Sequence, residues 1–168
     1  MRDDSLYIEV GKAIQIIQLA DQAFKSMLLM VFPGKEFSDL ETFNQNDKLL
    51  DKATLGKLVT ILKRRVVLNG GFESVLNEYL ADRNSLIHNW SEIEGWDEEA
   101  KAIEFTVSVQ KKAAYLCYIF MGFLRAWMEQ VGIEGIDEQF SEGASFFATI
   151  DSEWKDLING LVEETKIT

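Results

Sequence analysis

A chain of 168 residues with 47% hydrophobic and 27% charged side chains is long enough for one well-filled core and has the composition of an ordinary soluble globular domain. These values exclude a low-complexity polypeptide, and no repeat of fixed period is visible. A formal net charge of −11 argues against binding nucleic acid through the whole surface, because phosphate contacts need positive charge that would here have to be concentrated locally.

The single cysteine, Cys117, lies in the apolar run AAYLCYIFMGFL, so no disulfide can form within the chain and the thiol is expected in the core, as suits a reducing cytoplasm. The N-terminus MRDDSLYIEV is acidic and lacks the apolar core of a secretory signal. The most apolar stretch, 113–124, is shorter than a membrane span and reads as a buried helix. The expected location is the cytoplasm, away from membranes.

A single proline, Pro33, points to a mostly helical chain. Residues 4–31 carry Leu6, Val10, Ala13, Ile14, Ile17, Phe24, Leu28 and Val31 at helical spacing. Asp3, Asp4 and Ser5 supply an N-cap and negative charge for the helix dipole, and FPGKEF ends the helix. SDLE at 38–41 has the spacing of a capping box and opens a short helix.

Thr54 caps the stretch LGKLVTILKRRVVL, in which Leu55, Leu58, Val59, Leu62 and Val66 share a face. NGG at 69–71 is a turn, and a helix follows from Phe72 to about Trp90. SEIEGWDEE is a loop, with Asp97 as the expected cap of a long helix reaching about Val131.

Inside that helix, AIEFTVSVQ alternates Ile103, Phe105, Val107 and Val109 with polar residues, which is a strand pattern. With no partner strand evident, a lone strand would leave its backbone groups unpaired, so 103–110 is expected to be helical. After GIEGID a last helix is expected over about 144–163, burying Phe147, Ile150, Trp154, Leu157, Ile158 and Leu161. The linkers are too short to separate domains. The expected fold is all-α, one domain over 1–168: an antiparallel bundle of five to six helices, with its core at about 4–131 and the C-terminal helix packed on it.

One charge sits in the wrong place for such a bundle. On a helical wheel Phe72, Val75, Leu76, Tyr79, Leu86, Ile87 and Trp90 form an apolar sector, and Arg83 falls within it, about 20° from Phe72. A cation there is costly unless it is paired, for example with Glu78 or Glu104, or reaches a cavity. Asn84 and His88, four apart, share one flank of the same helix, with His88 near its C-terminus.

The stretch RNSLIH, from Arg83 to His88, resembles the Arg-x4-6-His signature of the HEPN superfamily (higher eukaryotes and prokaryotes nucleotide-binding). Many members read Arg-Asn, two or three residues, then His late in a helical bundle. Over about residues 4–131 the likeness rests on helix order and amphipathicity. The resemblance implies an HEPN-like bundle and a metal-independent endoribonuclease of a toxin–antitoxin or phage-defence system. It also implies a homodimer in which two copies of the motif face each other across a cleft. Other members of the family keep the fold and bind without cleaving.

The chemistry suits those side chains. Cleaving RNA without a metal needs a base for the 2′-hydroxyl proton, which His88 can supply near neutral pH. It also needs a cation to stabilise charge on the phosphoryl oxygens, which the Arg83 fork can do bidentately, with Asn84 orienting either His88 or the phosphate. Arg83 and His88 lie about 140° apart on a continuous helix, so a second chain or a helix break is needed to aim both at one phosphate.

Other constellations are thinner. Lys63, Arg64 and Arg65 form the densest basic cluster, able to hold an RNA backbone or to be a solvated helix face; Lys111 and Lys112 are a weaker instance. Among the aromatics, Tyr7, Tyr79 and Trp90 sit at helical spacing and are expected in the core, whereas Trp96, in a loop, is the candidate for stacking on a base. One His and one Cys cannot make a usual zinc set, the acidic residues are scattered, and no phosphate-cradling glycine loop is present, so no metal or other cofactor is expected.

Two readings of function follow. In the first, His88 is the general base or acid of a ribonuclease and Arg83 its phosphate stabiliser, with RNA as substrate. In the second, the acidic chain is a non-catalytic binding protein, an immunity protein or antitoxin, that covers a basic partner; Arg83 then anchors the bundle.

Overall fold

A computed structural model describes residues 4–31, 48, 50 and 52–132, together with the backbone of 162–165. The elements in chain order are α1 (Asp4–Met30), α2 (Leu55–Arg65), β1 (Val66–Leu68), α3 (Gly70–His88), a 3-10 turn (Trp90–Glu92), α4 (Glu99–Gln130) and β2 (Val162–Thr165). The described chain is mostly helical, in keeping with an all-α class, with four α-helices and one short strand pair among the described residues. The short helix expected to open at 38–41 lies outside the described residues, as does 144–161 of the expected C-terminal helix.

The chain divides into two compact units: Met1–Phe24 with Gly70–Tyr118, and Lys25–Asn69 with Ile119–Thr168. In the first, α1 buries Leu6, Ala13, Ile17, Ala20 and Phe24, and α3 buries Phe72, Leu76, Tyr79 and Leu86. From α4 come Ala102, Thr106, Val109, Ala113 and Leu116, spaced by four and three residues. Full burial of a side chain the size of Leu76 or Leu116 is worth roughly 1.5–3 kcal/mol.

The α4 stripe settles the ambiguity at 103–110, which is helical throughout. Of the alternating residues, Ile103, Phe105 and Val107 are only half-buried, and the innermost positions are Ala102, Thr106, Val109 and Ala113. The buried Thr106 hydroxyl donates to the Ala102 carbonyl at 2.7 Å, so its polarity costs little. Polar contacts tie the helices of this unit together. Ser5 Oγ donates to Glu99 Oε1 at 3.0 Å, and Gln110 Nε2 donates to the Glu9 carbonyl at 2.8 Å and to its carboxylate at 2.9 Å. Ser5 thus serves α4 rather than capping α1. The α4 helix begins at Glu99, two residues after the expected cap Asp97.

In the second unit the end of α1 buries Met27 and Leu28, α2 buries Leu55, Leu58, Val59 and Leu62, and the end of α4 buries Ile119, Phe120, Phe123 and Leu124. Thr54 has the extended backbone of an N-cap, but its hydroxyl makes no capping bond. Arg65 Nη1 donates at 2.8 Å to the Leu28 carbonyl, one of the acceptors left open at the end of α1. The helix expected to run through Leu68 stops at Arg65. Val66 turns extended, and Val66, Val67 and Leu68 pair antiparallel with Thr165, Glu164 and Val162. Adjacent β-branched residues with a partner strand favour this outcome over another helical turn. The expectation of helix to 163 fails in the same place, because Val162 already belongs to β2.

No helix among the described residues is long and apolar enough to cross a membrane.

Candidate functional site

The motif lies wholly in the first unit, on the last turns of α3. Arg83 points inward, as the wheel requires, and its charge is met from another helix. Its Nη2 donates to Asp21 Oδ2 of α1 at 3.0 Å, and its Nη1 donates to Asn84 Oδ1 at 3.2 Å. The two ends of the ion pair are 19% and 21% exposed, so the pair is shielded without being dry. Arg83 Nε is buried with no hydrogen-bond partner.

One turn earlier on the same face, the buried Tyr79 hydroxyl lies beside Asp21. Burial pushes the phenol well above its ordinary value, the Asp21 charge pushes it further, and the Arg83 charge opposes. Asp21, Tyr79, Arg83 and Asn84 therefore form one polar cluster within an apolar interior.

The carboxylates expected to meet Arg83 do not. Glu78 and Asp82 instead flank Lys112 of α4, at 3.6 and 2.6 Å, and the Lys112 amine is pushed up chiefly by its bond to Asp82. Glu104 is exposed. Asp21 went unnoticed in the sequence although it carried a signal of the same kind as Arg83. It stands four residues after Ile17 and three before Phe24, a carboxylate on the apolar stripe of α1. A misplaced anion on one helix and a misplaced cation on another are complementary.

His88 is the last residue of α3 and is exposed. The helix is unbroken from Arg83 to His88, and the Asn89 amide still donates to the Ser85 carbonyl at 3.0 Å. No break brings the two side chains together, so within one chain Arg83 faces in and His88 faces out. Asn84 serves Arg83 rather than His88.

The helix also ends two residues earlier than expected, which exchanges the roles of two tryptophans. Trp90 leaves the apolar sector, starts the 3-10 turn and is 51% exposed. Trp96, expected to offer a stacking face, is buried at 9% exposure, with its ring centroid 6.0 Å from that of Trp90 at 49°. Gly95 makes that inward turn feasible. Its φ is +75°, and a Cβ built there would lie 2.6 Å from Lys101 Cδ. Four exposed acids, Glu92, Glu94, Asp97 and Glu98, lie on this stretch of chain, the last bridged to Lys101 at 2.7 Å.

The basic cluster Lys63, Arg64 and Arg65 belongs to the second unit, at the C-terminal turn of α2, where its charges complement the helix dipole. Arg64 is exposed, and Arg65 is anchored to α1. Cys117 is half-buried, and burial pushes its thiol up. Among the described residues no group of three or more His, Cys, Asp or Glu side chains could hold a metal ion. The arrangement thus offers an oriented guanidinium whose charge is largely matched by Asp21, and a solvent-facing imidazole. No protein-family model matches the chain, and neither the curated proteins nor the solved structures include a detectable match.

Proposed function

We propose that the chain is an HEPN-type, metal-independent endoribonuclease of the cytoplasm, of the kind found in toxin–antitoxin and phage-defence systems. It would be built on an antiparallel bundle of five to six helices and act as a homodimer. The observation that carries this reading is the pairing, on one short stretch of α3, of a positioned arginine with an exposed histidine. His88 would take or return the proton of the 2′-hydroxyl, and Arg83 would steady the charge on the phosphoryl oxygens. Because α3 runs straight through the motif, a second copy is required to set an Arg83 opposite a His88.

The test is cleavage of a mixed transfer and messenger RNA pool in EDTA by wild type and His88→Ala. Cleavage by the wild type alone, leaving 2′,3′-cyclic phosphate ends, is expected; equal cleavage by both proteins sinks the assignment.

A specific observation favours the second reading, a non-catalytic acidic protein that covers a basic partner. Asp21 consumes the Arg83 charge, and residues 91–99 next to His88 hold five carboxylates and no lysine or arginine. In that reading Arg83 pins α3 to α1.

A further inference from the structure

We infer that Trp90, with the carboxylates of Glu92 and Glu94, is a docking point for an arginine- or lysine-rich protein segment. The inference goes beyond the ribonuclease reading and stands whether or not His88 cleaves RNA.

Trp90 exposes half of a large aromatic side chain, at 51%, on a turn held in place by its surroundings. Behind it Trp96 is buried, at a centroid distance of 6.0 Å. The turn is closed by the Glu92 amide on the Asn89 carbonyl at 2.9 Å and the Trp96 amide on the Ile93 carbonyl at 3.1 Å. A ring backed in this way loses little conformational freedom when a partner seats on it, which is what an interface anchor needs.

Charge decides which partner. The side chains that follow Trp90 in the chain, Glu92 and Glu94 on the turn and Asp97 and Glu98 just after it, are exposed acids, and Lys101 is held by Glu98. An RNA strand brings one negative charge with each nucleotide and would meet repulsion here, since residues 91–99 contain no lysine or arginine to offset it. A guanidinium or ammonium meets the reverse situation, with the exposed Trp90 ring for a cation–π contact and the carboxylates of Glu92 and Glu94 two and four positions along the chain. His88 precedes Trp90 by two residues and is also exposed, so the docking point adjoins the candidate general base along the chain. In a ribonuclease, that partner would act as an inhibitor.

The experiment measures fluorescence anisotropy of a labelled peptide of alternating Arg and Gly, and of a labelled oligouridylate. The proteins are wild type, Trp90→Ala, Trp90→Phe and the pair Glu92→Lys/Glu94→Lys. The control pair Glu78→Lys/Glu104→Lys makes the same charge change at exposed positions of α3 and α4, and circular dichroism confirms that each variant is folded. Trp90→Ala is expected to weaken peptide binding about tenfold, the effect of removing an aromatic anchor, with Trp90→Phe in between. The Glu92/Glu94 pair is expected to weaken it more than the control pair. Equal loss in both charge-reversed pairs would show attraction to the whole acidic molecule and overturn the assignment, as would peptide affinity unchanged by Trp90→Ala. Oligouridylate binding that disappears with Trp90 would overturn it too, making the ring a platform for a base instead.

Discussion

Arg83 and Asp21 are 62 positions apart in the chain, and their side chains meet at 3.0 Å. Each residue, taken alone, is a charge set on the apolar stripe of its helix. Together they neutralise one another and fasten α3 to α1. Removing either partner takes this contact from the other in a shielded site, so Asp21→Ala and Arg83→Ala should each cost roughly 1–3 kcal/mol, less than a fully buried pair because about a fifth of each side chain still meets solvent. Urea unfolding of both variants and of the double variant measures this, with a coupling of about 0.5–2 kcal/mol expected between neighbours in direct contact. Additive losses would dissolve the pair as an energetic unit. Unchanged unfolding of Arg83→Ala with lost RNA cleavage would move the arginine from the scaffold into the site.

Tyr79 gives the same cluster a signature at high pH. Its phenol is raised above the ordinary 10.0, so the folded protein keeps the proton at a pH where the unfolded chain releases it. The resulting stability is fully present below about pH 10 and is lost as pH rises through the folded value, since the unfolded state then binds fewer protons. Absorbance at 295 nm should show one phenol ionising well above pH 10, a step that is missing from Tyr79→Phe. Tyr79→Phe should lose less stability above pH 10 than wild type. An absorbance titration left unchanged by Tyr79→Phe in that range would remove the basis for this expectation.

Gly95 controls the turn that carries the tryptophans. Gly95→Ala forces a left-handed backbone on an alanine and drives its Cβ onto Lys101, at a cost of about 1–2 kcal/mol. Near-ultraviolet circular dichroism should change as Trp96 loses its fixed setting against Trp90. A spectrum and melting temperature equal to wild type would show that the turn does not depend on this glycine.

The proposed ribonuclease requires two chains, because α3 presents Arg83 inward and His88 outward without a break. Sedimentation at micromolar concentration should give a dimer, and mixing inactive His88→Ala with inactive Arg83→Ala should restore part of the cleavage if each site draws one residue from each chain. A strict monomer that still cleaves would refute the two-chain site.

Much of the helical layout was legible in the sequence, because periodicity reports which side of a helix is apolar whatever it packs against. That holds for α1, for α3 and for the full length of α4, where Ala102, Thr106, Val109 and Ala113 repeat by four and three beneath a misleading alternation. The position of Arg83 on the apolar side of α3 was legible in the same way. Its partner was not, since choosing Asp21 over Glu78 or Glu104 depends on how α1 and α3 lie against each other, and no local pattern encodes that. The exit of α3 at His88 exchanged Trp90 for Trp96, a change of two residues that reversed which indole meets solvent. Likewise Val66–Leu68 read as the end of a helix until a strand from 162–165 supplied its hydrogen bonds. Periodic faces and the placing of charged residue types on them are thus written into the order of residues. Which charges meet and which ring is exposed emerge only when the helices pack, because pairing energies depend on distances between segments far apart in the chain.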